Sequence, residues 1–460
     1  MTTGNPNGSG LSPRMEQAAA ALPAGGGEPG DASAPTPPGL SPAVWLMLAA
    51  ITLAQATEAF TVQGFPTLIP GITGDLFLTK TQIGLLTSSF FAGGFVTVIP
   101  AGWVIDRIGV RLSLVLGLSS MAVFVAAASR MASFGSLYAC LFLSGIGFGS
   151  VYPATTKAVM HWAPVRWRGA MMGFKQTGVP LGGVLASLVL PWLVLRISWR
   201  GALLVAAAAC AVCTVACHLM YQTHHTEKTA SERQRPGGSG VSGTADRTSL
   251  RRALLSRNIW LVNLSGLFLL GVQGTLVGWL VVFLTSGAGL ELLAAGGALA
   301  AVQAGGAVGR LGWGTVSDAL LGGRRGPIVA GLGTLSAVVL WVLPLAPTLH
   351  YGALLLICGL AGLCALGWVG MVTVWRAELA PPGAVGIVTS MGSFTGYVGA
   401  LLAPPLFGMV LDRTGDFALA WRLLACCALA AALLASRAKE ARSASKDRRV
   451  AQLDLHQDPG

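Results

Sequence analysis

The sequence predicts an all-α membrane protein of about twelve transmembrane helices in two pseudo-symmetric six-helix halves. Composition is the first reason. Of the 460 residues 53% are hydrophobic and only 10% are charged, where soluble domains carry about 25% charged residues. The spacing of apolar runs is the second. Most are close to the roughly 20 residues an α-helix needs to cross a bilayer, and short polar or glycine-rich breaks separate them. The third is an internal repeat that no soluble domain requires. Gly102-Trp103-Val104-Ile105-Asp106-Arg107 comes back as Gly314-Thr315-Val316-Ser317-Asp318, followed by Arg324 and Arg325, at an offset of 212 (318 less 106). The same offset lays Gly305-Gly306 on Gly93-Gly94. Val272-Gln273-Gly274 falls on Val62-Gln63-Gly64, Gly392 and Gly396 on Gly178 and Gly182, and Trp421-Arg422 on Trp199-Arg200, with a slowly drifting offset. Duplication followed by loop insertions leaves this pattern.

Residues 1–42, rich in Gly, Pro, Ala and Ser, are expected to form a disordered cytoplasmic tail. An N-terminal half over 43–222 holds six apolar spans near 43–70, 81–104, 112–130, 135–160, 169–194 and 199–221. A polar stretch, 223–257, containing Gly237-Gly238-Ser239-Gly240, reads as a cytoplasmic linker. Six more spans, near 258–285, 292–317, 327–347, 351–375, 384–410 and 418–436, make a C-terminal half over 258–436. The basic tail 437–460 then lies at the inner membrane surface. These are called spans 1 to 12 below.

The net charge of +12 does not require a nucleic acid. With span 1 starting inside, Arg107, Arg111, Arg166, Arg168, Arg324, Arg325 and Arg376 all fall in short cytoplasmic segments, and the linker and tail add more. Lys80, Arg130, Arg196, Arg200, Arg413 and Arg422 fall outside. That bias sets the orientation, with both termini cytoplasmic in the plasma (inner) membrane. The eight cysteines lie within apolar runs, where small-residue packing is the simpler role. No cofactor or metal is expected.

Ionisable groups in the hydrocarbon are costly and mark function by default. Three stand out. Glu58 lies near the middle of span 1, where ionisation is expensive, so it suits either a proton-coupling site or a structural pairing with a lysine or a hydrogen-bond network. Lys175 in span 5 and Arg310 in span 8 lie at similar depths, roughly 9 and 12 Å from one surface at 1.5 Å per residue. Two cations at one level would attract an anion, with Arg offering a bidentate fork and Lys a point charge. The alternative is that each snorkels to the cytoplasmic surface and trims the domain interface. Gln63 and Gln273, polar at matched places in spans 1 and 7, join them as substrate contacts, and Tyr152, Trp279, Trp368 and Trp375 could wall the cavity. Lys157, Arg376 and Glu378 are expected to form gate ion pairs at the cytoplasmic ends of spans 4 and 10. The hairpin Ala101–Arg111 reads as a tight charged loop, with Gly102 letting backbones approach.

The pattern Gly102-x-x-x-Asp106-Arg107-x-Gly109-x-Arg111 resembles the hallmark loop between helices 2 and 3 of the major facilitator superfamily, with Val110 where a basic residue is usual. That resemblance implies secondary transport by alternating access, with spans 5 and 8 facing each other across the seam between halves. Asp106, Arg107, Arg111, Asp318, Arg324 and Arg325 then take conformational roles. Gly309-Arg310-Leu311-Gly312-Trp313-Gly314-Thr315-Val316-Ser317-Asp318 resembles helix 8 of the oxalate–formate and monocarboxylate branches, which implies that Arg310 binds substrate. Those branches often carry further cations in the second half, whereas span 11 here has Thr389 and Ser390. Nitrate carriers pair arginines in helices 2 and 8, but Val98 stands at the matching place here. Lys175-Gln176-Thr177-Gly178-Val179-Pro180-Leu181-Gly182-Gly183 resembles the helix 5 antiporter motif, with its Gly-Pro pair split by Val179. Gly178, Pro180, Gly182 and Gly183 are therefore expected to form a hinge.

The expectation is a monomeric carrier of a small organic anion, a carboxylate, coupled to protons or to counter-anion exchange, with the lipid bilayer as its other partner. A drug–proton antiporter and a non-transporting membrane sensor are the alternatives. An enzyme is not expected, because no His–carboxylate or Ser–His cluster occurs at catalytic spacing.

Overall fold

The structure is a computed structural model, and it describes residues 1–2, 42–98, 100–164, 167–221, 247–381 and 384–440. The expected N-terminal tail, most of the linker 223–257, the end of the basic tail and Arg166 lie outside the described residues.

Twelve spans follow from helix length. Among the described residues, ten helices are long and apolar enough to cross a membrane, and the bent pair Lys80–Thr97 and Pro100–Ile108 makes an eleventh. The helix Arg168–Met220 has 53 residues, roughly 80 Å at 1.5 Å per residue, more than twice the bilayer's hydrocarbon core of about 30 Å. Its backbone breaks at Ile197 and Ser198, the latter at φ +68°. It is therefore spans 5 and 6 joined at a corner. Trp199 Nε1, just past the break, donates to Asp75 Oδ2 at 2.8 Å, and Arg200 pairs with the same carboxylate. The corner is thus fastened to the end of span 1, which runs through Pro42–Gly64, a 3-10 turn and Ile69–Leu76.

Helix starts carry their own chemistry. Thr79 and Gln82 make a reciprocal capping box before Lys80–Thr97, satisfying two amides the helix leaves free. Ser133, Ser256 and Asp416 cap spans 4, 7 and 12 with their side chains.

The charged stretch Ala101–Arg111 differs from its expected form. Asp106 and Arg107 lie in the helix Pro100–Ile108, and the chain reverses at Gly109, φ +83°, a left-handed conformation that costs glycine nothing. The repeat turns the same way at Gly323, φ +81°. Gly102 does not serve a close approach, for nothing lies within 4 Å of a Cβ placed there, nor at Gly312 or Gly314.

Close approach falls instead on other glycines, most of them repeated. Gly93 in span 2 lies against the Phe142 carbonyl of span 4, and Gly305 in span 8 lies against the Gly359 carbonyl of span 10. Gly178 and Gly182 bring span 5 against the Thr52 and Ala56 carbonyls of span 1. Gly399 brings span 11 against Leu267 of span 7. Lipid tails supply no hydrophobic drive between helices, so contact at this range is what holds such a bundle. The first two spans of each half therefore pack alike. The symmetry is looser at Trp421, the counterpart of Trp199, which packs among Phe283 and Phe407 at ring distances of 5.7 and 4.9 Å.

Candidate functional site: a cationic cavity between the halves

A cavity of about 240 Å³ lies between the two halves. Span 1 lines it with Gln55, Glu58 and Gln63, and span 7 lines it with Gln273. Arg310 enters from span 8 and Arg376 from span 10. Phe91, Phe148, Tyr152 and Tyr397 form an aromatic wall, and Tyr397 of the second half packs 6.2 Å from Phe91 and 6.4 Å from Phe148 of the first. Among the described lining residues there are thus two guanidiniums and one carboxylate.

Arg310 Nε donates to the Leu366 carbonyl at 3.3 Å, where the helix of span 10 is interrupted between Ala365 and Val369. The interruption frees that carbonyl, which steadies the arginine at the edge of the cavity it lines. Arg376 is 7% exposed, and its Nε and Nη2 have no hydrogen-bond partner. This is not the gate position expected for it. Glu378 pairs with Arg325 at 3.4 Å instead. Arg376 and Glu378 lie two positions apart, a turn of about 200° on a helix of 3.6 residues per turn, which sends one side chain inward and the other to the surface.

Glu58 is buried, and its Oε2 has no hydrogen-bond partner. Gln55, one turn earlier and fully buried, has both amide atoms unpartnered, and Gln273 Oε1 is unpartnered as well. Unsatisfied buried polar atoms are uncommon in folded proteins, and three residues of this kind converge on one space.

Lys175 does not line the cavity; Gln176, its neighbour, does. The Lys175 ammonium is fully buried behind the wall, donating to Thr155 Oγ1 at 3.0 Å and Thr156 Oγ1 at 2.7 Å, 4.4 Å from the centre of the Tyr152 ring. Its charge acts on Glu58. Trp279 and Trp375, expected as wall, are packed away from it. Trp279 Nε1 donates to the Pro404 carbonyl at 3.0 Å, and Trp375 is fully buried. Trp368 and Tyr152 do line the cavity. Gln55 and Tyr397 were missed from sequence, although Gln55, one helical turn before Glu58, carried a readable signal.

The two membrane faces differ. On the face away from the repeated hairpins, Asp412 of span 11 accepts from the Lys80 and Thr81 amides at 2.8 Å each and from Thr81 Oγ1 at 2.6 Å. This carboxylate from one half caps the first turn of span 2 in the other, where the helix dipole favours an anion. Beside it Gly408 abuts the Lys80 carbonyl and Gly84 the Pro404 carbonyl. On the hairpin face the ion pairs among the described residues stay within a half. Lys157 binds Asp106 at 2.5 Å and Arg325 binds Asp318 at 2.7 Å, while Arg107 stacks over Trp103 and Arg111 donates to the His218 carbonyl. Asp412→Asn is expected to loosen the closed face, raising thiol-reagent access to the cavity from that side while the fold is kept. Unchanged access from that side would show that the glycine contacts close it alone.

A helical bundle whose halves enclose a polar, cationic cavity, sealed on one face, defines a membrane transporter rather than an enzyme. The model of the Major Facilitator Superfamily matches residues 51–404. The chain belongs to that superfamily and is a multi-pass membrane protein. It is 26% identical to the "Probable L-galactonate transporter" of Escherichia coli (strain K12) over 378 residues, 79% of this chain and 82% of that one. It is 28% identical to the "Membrane sensor protein UhpC" of Salmonella typhimurium over 398 residues, 81% of this chain and 87% of that one. A solved structure of a bacterial homolog of the human lysosomal transporter Spinster, in an inward-facing and occupied conformation, superposes with a TM-score of 0.66 at 17% identity. That match covers 92% of this chain and all of the other and shows the shared fold.

Proposed function

We propose that this chain carries a small organic anion, a carboxylate, across the inner (plasma) membrane by alternating access, as a monomer, coupled to protons or to counter-anion exchange. The observation that carries the reading is Arg310, steadied through Nε and lining the cavity between the halves. A guanidinium so placed suits a carboxylate, because its fork matches two oxygens at once. The name of the galactonate relative points to the same chemistry. The arginine bias places the hairpin face, the linker and both termini in the cytoplasm, so the sealed face looks outward. The half 43–222 then rocks against 258–436, with Gly178, Pro180, Gly182 and Gly183 as the flexing run. The pairs Asp106–Lys157 and Asp318–Arg325–Glu378, with Arg107, Arg111 and Arg324 beside them, set the balance of states. Gln63 and Gln273 hold the substrate's neutral groups.

Drug–proton antiport is disfavoured, since two guanidiniums in the cavity repel cationic compounds. The sensor reading draws on the UhpC relative and predicts binding without flux. Purified protein in proteoliposomes, offered a panel of organic acids and cationic dyes with and without a pH gradient, separates the three. Accumulation of acids is expected. Dye extrusion with no acid movement would sink the proposal, and acid binding without uptake would favour the sensor.

A further inference from the structure

Arg376 has a seat built for it. A Cβ added at Gly266 of span 7 would overlap its Nη2, and one added at Gly392 of span 11 would overlap its Nε and Cζ. Two spans thus forgo side chains at the points where this guanidinium passes, although among the described residues no atom accepts from its Nε or Nη2. Packing alone would favour an apolar side chain there, because an unpaired buried charge is expensive. A guanidinium held in a slot at the edge of a cavity, 7% exposed and with donors to spare, is a half-made anion contact.

Its position relative to Arg310 limits what completes it. Arg310 reaches the Leu366 carbonyl. Arg376 reaches Gly266, where Val372 also lies 3.7 Å from the added Cβ. Leu366 lies in the interruption of span 10 and Val372 in the helix that follows it, so the two guanidiniums are held at separate points of the one cavity they line. One carboxylate engages one guanidinium fork. Two acidic groups on one short carbon chain engage both. Resting on the organic-anion reading above, we infer that the substrate is a dianion with an acidic group on each of Arg310 and Arg376. The cavity's charges fit this: Glu58, when protonated, leaves two guanidiniums for two negative groups.

The test uses galactarate and galactonate, six-carbon acids with the same kind of hydroxyl-bearing chain but two carboxylates against one, in proteoliposomes of the full chain. Wild-type protein should take up galactarate at least about tenfold better, the worth of a charged hydrogen bond. Arg376→Gln should lower galactarate uptake at least about tenfold more than galactonate uptake, closing the gap between the two acids. Equal handling of the two acids by the wild type, or preference for galactonate, overturns the dianion while keeping the organic-anion carrier. So does an Arg376→Gln variant in which both acids fall together. Movement of neither acid, nor of any other organic acid, sinks the carrier reading as well. Thermal stabilisation of the detergent-purified wild type by each acid gives the same comparison without a variant, and greater stabilisation by galactonate would count against the inference.

Discussion

Arg310→Gln is expected to abolish organic-acid uptake, with binding weakened by a factor between roughly ten and a few hundred. Each charge-assisted hydrogen bond contributes about 1.5–3 kcal/mol, and each 1.4 kcal/mol is about tenfold in affinity. The Leu366 carbonyl that the Nε now satisfies would lose its donor, so some destabilisation of the break in span 10 is expected too. Arg310→Lys separates the two effects. It keeps the charge but not the fork, and should leave binding between wild type and Arg310→Gln. Titration calorimetry on purified protein measures all three. Wild-type affinity in both variants would remove Arg310 from the site and leave the anion reading without its main support.

Glu58→Gln should abolish accumulation driven by a pH gradient while sparing counterflow, in which no net proton moves. One pH unit corresponds to about 1.4 kcal/mol, hence up to roughly tenfold accumulation at one proton per anion, and the variant should show none of it. The geometry supports this role. Glu58 faces the cavity, its Oε2 is unpartnered, and the Lys175 charge acts on it from behind the wall. Lys175 itself is held by Thr155, Thr156 and the Tyr152 ring, so its ammonium stays solvated by protein when Glu58 is neutral. Lys175→Gln should accordingly alter the pH dependence of transport more than the affinity for the anion. Loss of counterflow in folded, inserted Glu58→Gln protein would make the carboxylate a structural counter-ion.

Much of the architecture was legible in the residues. Hydrophobic length marks a membrane span because the bilayer core imposes a fixed thickness on every helix. Duplication was visible because the glycines that must repeat are those where helices touch, as Gly93 and Gly305 do against carbonyls of spans 4 and 10. Arg310 and Glu58 stood out for an equally simple reason: charge in hydrocarbon is too costly to be incidental. What the sequence could not assign was the direction each charge faces. Arg376 and Glu378 sit two residues apart near one helix end and looked alike, yet packing sends the first into a slot between Gly266 and Gly392 and the second to Arg325. Lys175 and Gln176 are adjacent, and helix rotation alone puts the amide in the cavity and the ammonium behind Tyr152. The capping of span 2 by Asp412 joins residues more than three hundred positions apart, which no local pattern encodes. The sequence by itself therefore determined the spans, their duplication and the presence of charge among them. Only the tertiary structure decided which charges share a cavity, because that depends on the rotation of each helix about its own axis and on the small residues its neighbours present.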